Sequence, residues 1–232
     1  ESEAARERSE KDREEASLLY RLAQEINAAT TYQEVADAVV HLAPDVEGVY
    51  IQLWDHLDYD RAEYYEVVAG AVRGKVLRAT EDRSAPISKS ILKPYYDQVR
   101  QSPRPWTITD VNRDPRTDES VRAAYERINV RSSMVVTMNQ GSRSLGSISF
   151  RYSRVRSFDG RAKRVALGIG ELVQASVERI GLQVETDAAR QRAEVMASVT
   201  AALAQATDDN EILDALAMLP CLPKGAYSSV HY

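Results

Sequence analysis

Between Phe158 and about Ala206 the chain runs without a proline, and Ile169, Val173, Val177, Ile180, Val184, Val195, Val199 and Leu203 recur at helical spacing. This predicts one very long helix. About forty or more helical residues exceed what a small domain can cover, so part of the helix is expected to pack on another domain or another chain. With 232 residues, 44% of them hydrophobic, there is material for one full core and for helical extensions, not comfortably for two domains.

The segments before it alternate between helical and strand periods. Glu1 to Glu15 mixes both charge signs, and Leu18, Leu22, Ile26 and Ala29 then form one stripe of an entering helix. Thr31-Tyr32-Gln33-Glu34 has capping-box spacing and predicts a second helix, to about Leu42. From Gly48 the period becomes two: Val49, Ile51 and Leu53 alternate with Tyr50, Gln52 and Trp54, as in a half-buried strand. A further strand is expected over 62–72, then a polar stretch, a short helix through Ile91, Leu92, Tyr95 and Val99, and a short strand from Trp106 to Val111. Asp118 and Glu119 open a helix carrying Val121, Tyr125 and Ile128. The clearest hairpin sets Met134, Val136 and Met138 against Ile148, Phe150 and Tyr152 around the turn Gln140-Gly141-Ser142-Arg143.

An internal repeat links the two ends. A shift of about 177 positions aligns Thr30 with Thr207, Glu34 with Glu211, Asp37 with Asp214, Leu42 with Leu219, Gly48 with Gly225 and Tyr50 with Tyr227, without a gap. Asp208-Asp209-Asn210-Glu211 repeats the capping box. Two similar amphipathic helices with no common origin are the alternative; the favoured expectation is a second domain cut off after its first strand. The absence of an initial Met and the stop at Val230-His231-Tyr232, inside a strand pattern, mark the chain as an expected fragment.

Several functions are excluded early. A net charge of -5 and a pI near 5.4 give no general attraction to nucleic acid phosphates. No apolar run reaches the roughly 18 residues of a membrane span, so no membrane insertion is expected. The single cysteine, Cys221, provides neither an intrachain disulfide nor a multi-cysteine zinc site, and a reducing, cytoplasmic location is the natural expectation.

The order of elements, with Ser133-Met134-Val135-Val136-Thr137-Met138, Gly141, Leu145-Gly146-Ser147-Ile148-Ser149-Phe150, Ser157-Phe158-Asp159 and the long exit helix, resembles a GAF domain of bacterial signal-transduction proteins. Asp110-Val111 and Asp114-Pro115-Arg116 resemble the segment that often precedes those strands, although the family often has a proline where this chain reads Val135-Val136-Thr137. The resemblance implies an α+β fold with a central antiparallel sheet flanked by helices, a small-molecule pocket on one side and a parallel homodimer through the connector helices. It further implies an output domain, a kinase, cyclase, phosphodiesterase or phosphatase, outside this chain. The expected organisation is a charged helical connector over 1–17, a GAF-like sensor domain over 18–180, a connector helix over 181–206 and the start of a second, truncated GAF-like domain over 207–232.

No catalytic chemistry is legible. Relatives that carry bilin do so on a cysteine within the domain, commonly followed by histidine. Cys221 is followed by Leu222 and lies beyond the complete domain, so covalent bilin is not expected and the cofactor stays unknown. The same absence counts against thiol-based sulfoxide reduction. Asp110-Val111-Asn112-Arg113-Asp114 opens like a calcium loop, but Pro115 and Val121 stand where glycine and a bidentate glutamate are required. His41, His56 and His231 are too dispersed for a local metal motif, though one histidine could still hold a haem. Neither a glycine-rich phosphate loop nor a nucleophile elbow is present.

Arg143, Arg151, Arg154, Arg156, Arg161, Lys163 and Arg164 make a basic zone opposed locally only by Asp159, either an anion-binding face or a solvated surface. The candidate ligand residues are Tyr95, Trp106 and Tyr125, whose rings could stack on a planar molecule, with Asp110, Asn112 and Arg131 bonding to its edge. Core filling is the competing role for the rings. Leu18, Leu22, Ile26, Ile169, Val173 and Ile180 are the candidate dimer positions on the two connector helices. The functional expectation is a non-enzymatic sensor that relays a bound small molecule or partner through its helices, with a ligand-free dimerisation spacer as the alternative.

Overall fold

The computed structural model describes residues 3–74, 87–101, 105–206 and 208. It divides into two units, Glu1–Val177 and Glu178–Tyr232. The repeat over 207–232, with Cys221 and His231, lies almost wholly outside the described residues.

The first unit begins with α1 (Glu3–Ala28) and α2 (Tyr32–Leu42). The capping box forms as its spacing predicts: the Glu34 amide donates to Thr31 Oγ1 at 3.2 Å, and the Thr31 amide donates to the Glu34 carboxylate at 3.1 Å. These bonds occupy amides that the first helical turn leaves open and set where α2 starts. Then follow β1 (Gly48–Trp54), a 3-10 turn (Asp55–Leu57), β2 (Tyr64–Val72), β3 (Ile87–Ser88), α3 (Lys89–Gln101), β4 (Trp106–Ile108), α4 (Glu119–Arg127), β5 (Ser132–Gln140) and β6 (Arg143–Tyr152). The last helix, α5, is Gly160–Gln205; its residues 160–177 belong to the first unit and 178–205 to the second.

The sheet has the order β3-β2-β1-β6-β5-β4, with every neighbouring pair antiparallel. Its register places Met134 opposite Phe150, Val136 opposite Ile148 and Ile51 opposite Ile148, so these side chains share one face. That face lies under α1, α2 and α5. The fit is close: a Cβ on Gly170 of α5 would come within 2.5 Å of Val136 Cγ1, and one on Gly168 within 2.9 Å of Leu19 of α1. Leu22, Ile26, Ile51, Ile148, Ile169 and Val173 are fully buried there, each contributing about 1.5–3 kcal/mol relative to exposure.

Two expectations are corrected. β1 is not half-buried: apart from Tyr50 all its residues are buried, because helices cover both faces of the sheet. The strand beginning at Trp106 stops at Ile108, before Val111, because a turn opens at Asp110, whose carbonyl accepts from the amides of Arg113 and Asp114. Elsewhere the local signals act as expected, with Asp118 capping α4 by accepting from the Val121 amide at 2.8 Å.

Candidate functional site

The second face of the sheet carries Tyr50, Gln52 and Trp54 of β1, Ser133, Val135 and Thr137 of β5, and Ser147, Ser149 and Arg151 of β6. Helix α3 packs over it, bringing aromatic and apolar residues to its two ends. At one end Trp54, Tyr59, Ala62, Tyr65 and Tyr96 form a buried cluster, with the Tyr59 and Tyr96 rings stacked at 5.4 Å. The Tyr96 hydroxyl donates to the Gly146 carbonyl at 2.7 Å. At the other end Val99, Trp106, Ile108, Val111 and Val135 form a second cluster, with Tyr125 against it.

Between the clusters the floor is polar. The Tyr65 and Ser147 hydroxyls are 2.6 Å apart, and Ser147 Oγ donates to Gln52 Oε1 at 3.3 Å. Burial pushes the Tyr65 phenol well above its ordinary range, so it is a neutral hydrogen-bonding group at physiological pH. Ser133, Thr137 and Ser149 are at most 3% exposed, and among the described residues their hydroxyls have no hydrogen-bond partner. Each buried, unsatisfied hydroxyl costs about 1–3 kcal/mol. Arg151 adds a cation, its guanidinium 3.7 Å from the centre of the Tyr50 ring and its buried Nε likewise without a partner among the described residues.

The residues expected to bind a ligand are distributed differently. Trp106 and Tyr125 come together in the second apolar cluster, in the core-filling role, with the Arg116 guanidinium 4.9 Å from the Trp106 ring. Asp110, Asn112 and Arg131 also come together, as a brace for the β4–α4 loop: Asp110 Oδ1 accepts from the Asn112 amide at 3.1 Å and from Arg131 Nη2 at 3.2 Å. Asn112 itself is exposed. The Tyr95 side chain lies outside the described residues. The hydroxyl strip was missed, although it left a signal: the polar positions of the hairpin alternation at 133, 137, 147 and 149 are all Ser or Thr, never charged.

Two further groupings need correction. The basic zone is neutralised in part by residues distant in sequence: Arg161 pairs with Glu14 at 2.9 Å, Arg164 with Glu15 at 3.0 Å and Arg143 with Asp58 at 3.6 Å. The candidate dimer positions are mostly spent within the chain, with Leu22, Ile26, Ile169 and Val173 at 0% and Ile180 at 3% exposure. Side chains already covered in the protomer cannot form the surface that a second copy touches; only Leu18 is even half-buried.

Among the described residues no group of three or more His, Cys, Asp or Glu side chains could hold a metal ion, and no helix is long and apolar enough to cross a membrane.

This sheet order, with paired terminal helices on one face and α3 on the other, is the fold of GAF domains. Solved structures agree. The phycocyanobilin-bound GAF domain of a cyanobacterial phytochrome superposes with a TM-score of 0.55 at 14% identity, over 73% of this chain and 96% of its own. The GAF domain of an Acinetobacter phosphoenolpyruvate-protein phosphotransferase gives 0.53 at 13% identity, over 74% of this chain and 97% of its own. The photosensory core module of the Stigmatella aurantiaca phytochrome gives 0.57 at 12% identity, over 89% of this chain but 44% of its own. No family model matches the sequence. No curated protein matches it either.

Proposed function

We propose that the chain is a non-catalytic sensor module whose small-molecule ligand binds on the α3 side of the sheet, over the hydroxyl floor. The observation that carries this reading is the set of buried hydroxyls of Ser133, Thr137 and Ser149, beside Arg151, without partners among the described residues. Polar groups kept in a core without partners cost stability, and a ligand that supplies the missing bonds recovers it. A planar, polar molecule would rest against the aromatic cluster and take hydrogen bonds from the floor. The biliverdin-bound and phycocyanobilin-bound domains on this fold support a ligand in general, not a bilin here.

The relay follows from what the other face carries. A ligand acts at a distance only if it interacts differently with two arrangements of the helices, and the sheet is shared between the floor and α1, α2 and α5. Output would lie in a further domain of the signalling protein. A homodimer fits as well, through residues other than those expected. In the second unit, Leu182, Ala189, Met196 and Leu203 recur every seven residues and all are exposed, as on one seam of a coiled coil.

Native mass spectrometry of protein purified from cells, with a denatured control, tests the sensor. A stoichiometric small molecule that is lost on denaturation supports it. A bare chain whose thermal stability no metabolite in a broad screen raises would leave the dimerisation spacer as the better reading.

A further inference from the structure

On the opposite face of the sheet, between α1, α5 and the α2–β1 loop, lies a cleft of about 250 Å³. Its floor is apolar, with Leu18, Met134, Phe150 and Ile169. Its rim carries the cations Arg21, Arg156 and Arg161 against Glu14 and Asp45. The cations are unequally engaged. Arg161 is paired with Glu14. Arg156 gives Nη1 to the Asp45 carbonyl at 2.8 Å and keeps further guanidinium donors, while Arg21 is exposed and no side-chain bond or ion pair engages it among the described residues. Tyr152, 3% exposed, also lines the cleft, and its hydroxyl has no partner among the described residues.

We infer that this cleft is a binding site for a compact hydrophobic carboxylate. The volume lies just under the about 300–1,000 Å³ of drug-sized ligand pockets, which restricts the occupant to roughly a single ring or a short chain. The apolar floor takes the body. Arg156 and Arg21 take the carboxylate by charge-assisted bonds, and Tyr152 donates its hydroxyl. A neutral molecule of the same shape would offer no anion to Arg21 and to the remaining donors of Arg156, and a cation would meet a rim on which cations outnumber carboxylates. The site does not rest on the sensor reading, since the sheet separates it from the hydroxyl floor. Its walls are α1 and the first part of α5, so an occupant would act directly on the packing of those helices.

The probes are benzoate and octanoate, with benzyl alcohol and octanol as neutral counterparts, titrated into the full chain carrying ¹³C-methyl methionine. Met134 lines the cleft, and Met196, which does not, is the control. The expected result is a saturable shift of the Met134 signal with at least one carboxylate below about 10 mM, binding about tenfold weaker for its alcohol, and an unmoved Met196. Arg156→Gln should weaken the carboxylate about tenfold and leave the alcohol unchanged. Ala162→Phe, made on the half-exposed cleft wall, should abolish both. Should that variant not fold, Arg156→Gln alone decides. No saturable Met134 shift, equal binding of acid and alcohol, or carboxylate binding unaltered in Arg156→Gln would each overturn the assignment.

Discussion

The guanidinium of Arg151 stacks 3.7 Å from the centre of the Tyr50 ring, and that ring leans across Gly70 so closely that a Cβ there would meet it at 2.8 Å. Three adjacent strands therefore fix one aromatic side chain, β6 with its cation, β1 with the ring and β2 with a missing side chain. Gly70→Val should displace both the ring and the cation and destabilise the domain by about 1–3 kcal/mol. Urea unfolding measures the loss. An unchanged midpoint would mean that the Tyr50 ring is free to move.

The hydroxyl floor predicts a trade between stability and binding. Ser149→Ala and Thr137→Val each remove a desolvated hydroxyl and keep most of the shape, so the ligand-free domain should gain up to about 1–3 kcal/mol per site. Any ligand retained through purification should be lost in the same variants. Thermal melts paired with native mass spectra read both effects. A loss of stability would show that these hydroxyls are satisfied within the fold.

Gly146 has φ 154, and a Cβ there would lie 2.1 Å from the Gln52 carbonyl oxygen, so β1 and β6 can approach only because the side chain is missing. Gly146→Ala is expected to break their pairing, at a cost of several kcal/mol. The check is the yield of folded protein and its far-UV circular dichroism. A variant of normal stability would show that the pairing relaxes.

If the proposed homodimer forms through this seam, Leu182→Glu with Met196→Glu should give monomers, because both side chains are exposed in the isolated chain and can be changed without cost to a core. Light scattering after gel filtration measures the mass. Replacing Ile169 and Val173 by polar residues should instead unfold the domain, since both are fully buried.

Burial pushes the Tyr152 phenol up to about 12, with Arg156 drawing it partly back. Its folded pKa therefore lies above the ordinary value near 10. The neutral phenol contributes stability that is fully present below about pH 10 and is lost as pH rises toward about 12. Tyr152→Phe should flatten that part of the stability profile relative to the unchanged chain. Parallel profiles would place the titration elsewhere.

The fold was legible where local chemistry decides it. The capping box at Thr31 and Glu34 and the hairpin around Gly141 depend on bonds within a few residues, and both formed at the expected positions. Distant contacts were not legible. Leu22, Ile169 and Val173 have the spacing of an interface stripe whether they meet a second copy or their own sheet, and periodicity does not name the partner. The basic zone looked unopposed because Glu14 and Glu15, which oppose it, are nearly 150 residues away. Trp106 and Tyr125 meet in an apolar cluster, a packing role that ring spacing alone does not separate from ligand stacking, while the buried Ser and Thr side chains read as ordinary strand polarity.

A core with open hydroxyls has a consequence for the protein in a cell. Whatever satisfies Ser133, Thr137 and Ser149 also raises the fraction of chains that are folded, because binding to the native state alone draws the folding equilibrium toward it. On the proposed reading, chains without such a ligand would open more often and meet proteases sooner. The steady-state amount of the protein would then follow the supply of the proposed ligand, a slow readout of abundance running beside any rapid change in its helices.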